Sequence, residues 1–477
     1  MTKQLQKLRC LAAALCLAAS LMAGAYDFRV DGICYDINSD GKSVTVTYQQ
    51  EPTSSNGYKA YYNASGSLVI PSSVYYNGRN YSVTCIGEKA FYGCSGFTGS
   101  LTIPNSVTEI CSGAFYGCTG FNGSLTIGKA VTKIAGHKYI EYNVWYYNSD
   151  EGWTQSTYHD YCAFCGCYGF KELIFNANHC NNFEYKCHYM FDNYRYTEEH
   201  YSELTGYYIE YIDVYENSNN YDYSPFHDCT SIEKITIGEN VQYIPNNFLC
   251  GLRLTNPLII PESVTYIGGG AFQDCQMSSL IFNSKKSADF GYNSNYYGYE
   301  YEYDYSQVPP FFGCSIEKVI AEKAQCIPSY FAYEIKTIKT VELGENVNRI
   351  GENAFAGCNN IANIICHRNR PAAIDNEYAF ESRVYDNATV HVPNGSLSYY
   401  YTAPVWIRFE HYIDDAGSVV VKGDLTGDGR VDIDDVNAVV TLILGRTTLY
   451  SDRADTNADG KVNVADLNSV INAMLGR

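Results

Sequence analysis

Basic residues are scarce in this chain: 33 Lys and Arg stand against 52 Asp and Glu, for a net charge of −19. That imbalance argues against nucleic acid and anionic membrane surfaces as partners, since both attract cationic patches. Long apolar runs are also missing. After residue 25 no stretch approaches the roughly 18 apolar residues that a membrane span requires, so no span is expected in the mature chain. Familiar catalytic constellations are absent too: there is no Gly-x-Ser-x-Gly elbow, no His-Glu-x-x-His and no phosphate-cradling glycine loop. Acidic residues are plentiful, but a sequence does not place two of them across a glycosidic bond. The chain therefore reads as a binding protein rather than an enzyme.

What is present begins with an export signal. Lys3, Lys7 and Arg9 precede an apolar stretch over residues 11–22, and the small residues Ala23, Gly24 and Ala25 precede Tyr26. This is the pattern of a secretory signal peptide, expected to span residues 1–25. A lipid anchor at Cys16 is disfavoured because the bulky Leu15 precedes it. Cleavage after Ala25 removes three basic residues and no acidic ones, taking the net charge from −19 to −22. The product is expected outside the cell or at its surface.

At 477 residues the chain is too long for one ordinary compact core. An internal period resolves this. Ala90-Phe91-Tyr92-Gly93-Cys94 aligns with Ala114-Phe115-Tyr116-Gly117-Cys118 at a shift of 24. Leu101 maps to Leu125, Val107 to Val131 and Ile110 to Ile134, so each unit runs from Ala-Phe-x-x-Cys through an alternating strand segment to V-x-x-I. Phenylalanine anchors recur at Phe164, Phe226, Phe248, Phe272, Phe312, Phe331, Phe355 and Phe380, with spacings of 24, 49, 62, 22, 24, 40, 19, 24 and 25 from Phe91 onward. One ruler with three insertions accounts for them. A unit this short buries its apolar residues only by stacking on copies of itself, so residues 86–410 are expected to form a solenoid, each Ala-Phe segment making a short helical turn.

Seventeen of the 19 cysteines remain after cleavage, an odd number that argues against complete pairing. Cys94, Cys118, Cys167, Cys275, Cys314 and Cys358 share one register behind an anchor phenylalanine, as a ladder of small buried side chains would. Two clusters contain zinc-ligand residue types: His159 with Cys162, Cys165 and Cys167, and His179, Cys180, Cys187 and His188. No second tight Cys-x-x-Cys pair completes a tetrahedral site, which favours the buried-thiol reading. Forty-seven tyrosines concentrate in insertions at 137–161, 183–225 and 285–306. Their rings suit stacking on sugars or proteins, and solvated acidic insertions account for them equally well.

The segments LTIPNSVTEICSGAFYGC and VELGENVNRIGENAFAGC resemble BspA-type leucine-rich repeats of bacterial surface proteins. The resemblance implies a parallel-stranded solenoid that presents a broad recognition surface. Residues 26–85 (YDFRVDGICYDI, YNGRNYSVTCIG) and the segment ATVHVPNGSLSYYYTAPVWIRFEHY resemble the family's terminal segments, expected to cap the open ends of the sheet.

Beyond a linker at 411–422, residues 424–435 and 455–466 each follow the twelve-residue calcium-loop pattern of an EF-hand. Oxygen donors fall at loop positions 1, 3 and 5 as Asp424, Thr426 and Asp428, and as Asp455, Asn457 and Asp459. Gly429 and Gly460 allow the sharp bend at position 6. Backbone carbonyls of Arg430 and Lys461 serve position 7, Asp432 and Asn463 position 9, and Asp435 and Asp466 position 12. Each loop runs into a matched helix, VNAVVTLILGR and LNSVINAMLGR, 31 residues apart. Two calcium ions are therefore expected.

Loop-then-helix pairs with Asp at position 12 and no helix before the loop resemble type I dockerins, here over residues 423–477. The resemblance implies docking onto a cohesin-type scaffold, with positions 10 and 11, Ile433-Asp434 and Val464-Ala465, helping to choose the partner. These pairs depart from the hydroxyl pairs common in the family and differ between halves, which puts partner identity and symmetric two-way binding in question. Taken together, the expected fold is a β-rich leucine-rich-repeat solenoid, a parallel sheet with short helical turns, followed by a small all-α calcium-binding dockerin-like domain. The expected role is docking plus recognition of a host or bacterial surface protein or a glycan. The alternative is an accessory or catalytic component of a polysaccharide-degrading complex.

Overall fold

The computed structural model describes residues 26–138, 142–148, 152–158, 162–180, 183, 200–201, 208–213, 222–292, 308–416, 419–421, 423–426, 430–446, 454–456 and 461–476. In 137–138, 142–148, 152–158, 200–201, 208–213, 222–223 and 419–421 only the backbone is described. The expected leader, residues 1–25, lies outside the described residues. The chain divides into two compact units, one of residues 1–173 and 183–231, the other of 174–182 and 232–477.

In the first unit, antiparallel strands Phe28–Val30, Ile33–Ile37 and Ser43–Thr47 lead into the repeat register. Ser43–Thr47 pairs in parallel with Arg79–Ile86, which continues to Glu109–Ile110 and Lys133–Ile134. Buried Val46, Ile86, Ile110 and Ile134 thus stand side by side, one rung per repeat. A second parallel pairing joins Gly99–Thr102 to Phe121–Ile127, placing Leu101 beside Leu125 as the 24-residue alignment requires. The anchors stack face to face: Tyr61 on Phe91 at 5.4 Å, Phe91 on Phe115 at 5.2 Å, Phe115 on Phe164 at 5.2 Å and Phe164 on Phe226 at 5.5 Å. The first two tyrosine-rich insertions supply one four-stranded antiparallel sheet, in the order Gly152–Tyr158, Tyr142–Asn148, Tyr208–Asp213, His200–Tyr201. His137–Lys138 pairs with Asp222–Tyr223 where these insertions leave and rejoin the repeats.

In the second unit, strands Leu258–Ile260, Gln276–Phe282, Ser315–Ala321, Thr340–Leu343, Asn363–Cys366, Thr389–Val392 and His411–Asp414 form one parallel run. Leu258, Leu280, Val319, Val341, Ile364, Val390 and Tyr412 make its buried ladder. Cys326–Ile327, Arg349–Ile350 and Ala373–Ile374 line up as a shorter parallel sheet. Helices α1 (Ser382–Asn387) and α2 (Leu397–Tyr401) interrupt the last repeats. The closing segment buries Tyr400, Trp406 and Tyr412, and the Trp406 indole donates to the Ala372 carbonyl at 2.7 Å. Strand Val419–Val421, within the stretch expected as a linker, pairs antiparallel to His411–Asp414. Antiparallel pairing at both ends satisfies backbone groups that an open parallel sheet would leave exposed.

The turns expected after Ala-Phe are runs of i→i+3 hydrogen bonds, as in Tyr92 N to Lys89 O and Cys94 N to Phe91 O. Left-handed backbone at Lys89 (φ 53°) and Gly93 (φ 67°) keeps them from extending into helices. One expected anchor requires correction. Phe311, not Phe312, is fully buried and stacks on Phe272 at 5.6 Å. The Phe-x-x-Cys spacing to Cys314 selects Phe311, so Phe312 is displaced by one residue from the ladder.

The cysteine register is a ladder of buried free thiols, and it includes Cys229, behind Phe226, which the sequence reading passed over. The zinc reading of the first cluster fails, because Cys162 and Cys165 are joined in a disulfide and the Cys167 thiol donates to Phe115 O at 3.1 Å. His159, Cys187 and His188 lie outside the described residues. Cys180 is buried, and that burial pushes its thiol up to about 12.

Candidate calcium centre

Two helices carry the candidate site: α3 (Ile433–Ile443) and α4 (Val464–Met474). Each begins in a reciprocal cap. Asp432 accepts from Asp434 N at 2.9 Å while Asp435 Oδ2 accepts from Asp432 N at 2.9 Å. In the second half, Asn463 accepts from Ala465 N at 2.8 Å and Asp466 Oδ2 from Asn463 N at 2.9 Å. Residues of loop positions 9 and 12 thus satisfy helix N-terminal amides that have no intrahelical partner. At the other ends Gly445 (φ 66°) and Gly476 (φ 65°) take the left-handed conformation that stops each helix.

The second oxygen of each position-12 carboxylate reaches back to the start of its loop. Asp435 Oδ1 accepts from Leu425 N at 2.8 Å and Thr426 N at 2.9 Å. Asp466 Oδ1 accepts from Thr456 N at 2.9 Å. Both carboxylates are fully buried, and Asp424, at position 1 of the first loop, is buried too. The Thr426 hydroxyl donates to Asp424 Oδ1 at 3.2 Å, bringing positions 1 and 3 of the first loop together. Leu425, Val439, Ala454 and Val470 form a small core beneath, joined by Val431, Val436, Leu442, Val462 and Leu467.

Asp455, Lys461 and Arg430 are among the described residues, whereas Asp428, Asn457 and Asp459, with Gly429 and Gly460, lie outside them. Among the described residues no three His, Cys, Asp or Glu side chains converge on a metal-sized space. The fit to calcium therefore rests on donor chemistry. Every candidate side chain offers oxygen, as a hard cation demands. The buried carboxylates of Asp435 and Asp466 accept backbone amides, and a carboxylate oxygen that accepts an N–H keeps capacity for a cation.

The pairs expected to help choose a partner sit at the helix starts. Ile433 is 59% exposed and Val464 60%, with Asp434 and Ala465 exposed beside them. Sequence reasoning missed two further exposed apolar residues at the helix ends, Leu444 at 56% and Leu475 at 54% exposure. The same 31-residue spacing relates Leu444 to Leu475, and that repetition was the available signal. Two copies of one apolar pair are thus presented to solvent, one per half. Among the described residues no helix is long and apolar enough to cross a membrane.

Comparison with known proteins identifies both parts of the chain. A model of the BspA type leucine rich repeat region matches residues 84–201, 198–298 and 309–398, in six copies. A dockerin type I domain model matches residues 422–475. No curated protein matches the chain. Among solved structures, a leucine-rich repeat protein from Bacteroides ovatus is 16% identical, with 82% of this chain and 100% of that one covered and a TM-score of 0.25. The pneumococcal vaccine antigen PcpA is 13% identical, covering 77% and 82%, with a TM-score of 0.31. A leucine rich cell surface protein from Faecalibacterium prausnitzii is 16% identical, covering 77% and 88%, with a TM-score of 0.25.

Proposed function

Because the chain belongs to the BspA-type leucine-rich-repeat family and ends in a dockerin type I domain, we propose that it is a secreted, non-catalytic binding protein whose C-terminal module docks it, with calcium, onto a cohesin-type scaffold. Leucine-rich repeats and dockerins are binding modules, and dockerin type I domains bind calcium and dock to cohesins. The finer reading rests on one observation: two loop-helix halves, 31 residues apart, each place a buried carboxylate between loop and helix and an exposed apolar pair beside it.

In this reading the first ion is held by Asp424, Thr426, Asp428, the Arg430 carbonyl, Asp432 and Asp435. The second is held by Asp455, Asn457, Asp459, the Lys461 carbonyl, Asn463 and Asp466. Bound calcium supplies positive charge where nine acidic residues meet five basic ones over residues 423–477. Asp435 and Asp466 then hold each loop against its helix start, which orients Ile433-Asp434 and Val464-Ala465 toward the partner. The solenoid serves as the recognition surface for a host or bacterial surface protein or a glycan, in a surface or polysaccharide-degrading assembly. Calorimetric titration of the full chain with a cohesin module tests the docking: binding is expected in calcium and lost in excess chelator. Equal affinity in both conditions refutes it.

A further inference from the structure

A cavity of about 630 Å³ opens in the N-terminal cap, between the hairpin of Phe28–Val30 and Ile33–Ile37 and the segment 61–71. Its place follows from the repeat architecture. The phenylalanine stack of the first unit ends at Phe91, which the ring of Tyr61 covers at 5.4 Å, and the cavity opens beyond Tyr61. Phe91 and Phe97, both buried, lie beneath the cavity.

The rim is polar. A tight Asp31-Gly32 turn, with φ of 49° and 84°, carries Arg29 and Asp31 to one side. Tyr62, Asn63 and Ser67 stand on the other. Tyr62 is 65% exposed, an amphipathic ring left in solvent at the mouth. Among the described residues, the side chains of Arg29, Asp31, Asn63 and Ser67 have no hydrogen-bond or ion-pair partner in the protein.

Such a set selects its ligand. The guanidinium only donates, the carboxylate only accepts, and the amide and hydroxyl do both. Arg29 and Asp31 cancel in charge, and a chain of net charge −19 repels anions, so the fitting ligand is neutral. It must carry many groups that both donate and accept, and a face apolar enough for aromatic rings. The volume lies inside the roughly 300–1,000 Å³ typical of small-molecule sites. We propose that this cavity binds a neutral oligosaccharide, with Tyr62 stacked on a sugar ring and Arg29, Asp31 and Asn63 hydrogen-bonded to its hydroxyls.

The site lies wholly in the first unit and does not rest on calcium-dependent docking. The test is calorimetric titration of the full chain, in chelator, with neutral trisaccharides of β-1,4-glucose, β-1,4-xylose, β-1,4-mannose and α-1,4-glucose. At least one is expected to bind, with Tyr62→Ala weakening it by about tenfold or more and Asn63→Ala weakening it less. Tyr378→Ala, removing a ring 64% exposed in the second unit, should leave the affinity unchanged. No binding by any of the four, or binding that both Tyr62→Ala and Asn63→Ala leave intact, overturns the proposal. If Tyr62→Ala lowers the melting temperature, Asn63→Ala alone decides.

Discussion

The Cys314 thiol donates a hydrogen bond to the main-chain carbonyl of Phe272, one repeat earlier, across 2.9 Å. The same link recurs from Cys118 to Phe91 at 3.1 Å and Cys167 to Phe115 at 3.1 Å, and Cys358 donates at 3.0 Å to Ala332, one residue past the anchor Phe331. A sulfur this small fits between stacked rings and still donates to a carbonyl that already accepts one amide of its own turn, as Phe272 O does from Cys275 N at 3.2 Å, so both carbonyl lone pairs are used. The recurrence of cysteine at this position thus has a hydrogen-bonding reason as well as a packing one.

Replacing a ladder thiol should cost stability without changing the fold. Cys358→Ala removes a buried sulfur and one of two donors to the Ala332 carbonyl, which keeps Ile335 N at 3.2 Å, for an expected loss of about 1–2 kcal/mol. Chemical denaturation of the variant measures it. A loss within error of zero would show that the ladder is filler only.

Alkali should destabilise the protein. Burial pushes Cys94 up to about 11 and Cys275, Cys358 and Cys366 up to about 12, from an ordinary 9.0. Burial also lifts Tyr35 and Tyr385 to about 12 from 10.0. These groups stay protonated in the fold but ionise in the unfolded chain. Their stabilisation is therefore complete below pH 9 and is lost as pH rises toward 12. Denaturant midpoints should fall steadily between pH 9 and 11, and a flat profile would contradict the burial of these thiols.

Removing the position-12 carboxylates should abolish docking. Asp435→Ala with Asp466→Ala deletes the proposed position-12 calcium ligand from each loop and strips the amides of Leu425, Thr426 and Asp432, among others, of their acceptor. Each orphaned buried amide costs about 1–3 kcal/mol. At calcium about 100 times its dissociation constant, each wild-type site adds roughly 2.7 kcal/mol of linkage. Calcium should raise the melting temperature of the wild type and leave that of the double variant unmoved. Wild-type cohesin affinity in the double variant would leave the module as a structural end cap.

The two proposed docking faces should prove unequal. A partner would meet the charge of Asp434 beside Ile433 on one face and the methyl of Ala465 beside Val464 on the other. Ile433→Glu and Val464→Glu are expected to weaken cohesin binding by amounts that differ by about tenfold or more, and the double variant to abolish it. Equal, mild single effects would instead indicate two interchangeable binding modes.

Much of this architecture was legible in the sequence because it depends on local chemistry. Strand alternation, the Phe-x-x-Cys register and the spacing of oxygen donors in the loops each need only a dozen residues of context, and the repeat period needs only two successive units. Asp-x-x-Asp at 432–435 likewise contains its own helix cap. Tertiary structure decided what depends on residues far apart in the chain. It chose Phe311 over its neighbour Phe312 through stacking on Phe272, 39 positions away. It joined Tyr142–Asn148 to Tyr208–Asp213 across two insertions and brought Asp435 onto Leu425. It also left a cavity where the cap meets Phe91 and Phe97, because the fit of one surface to another is a property of both and is written in neither alone.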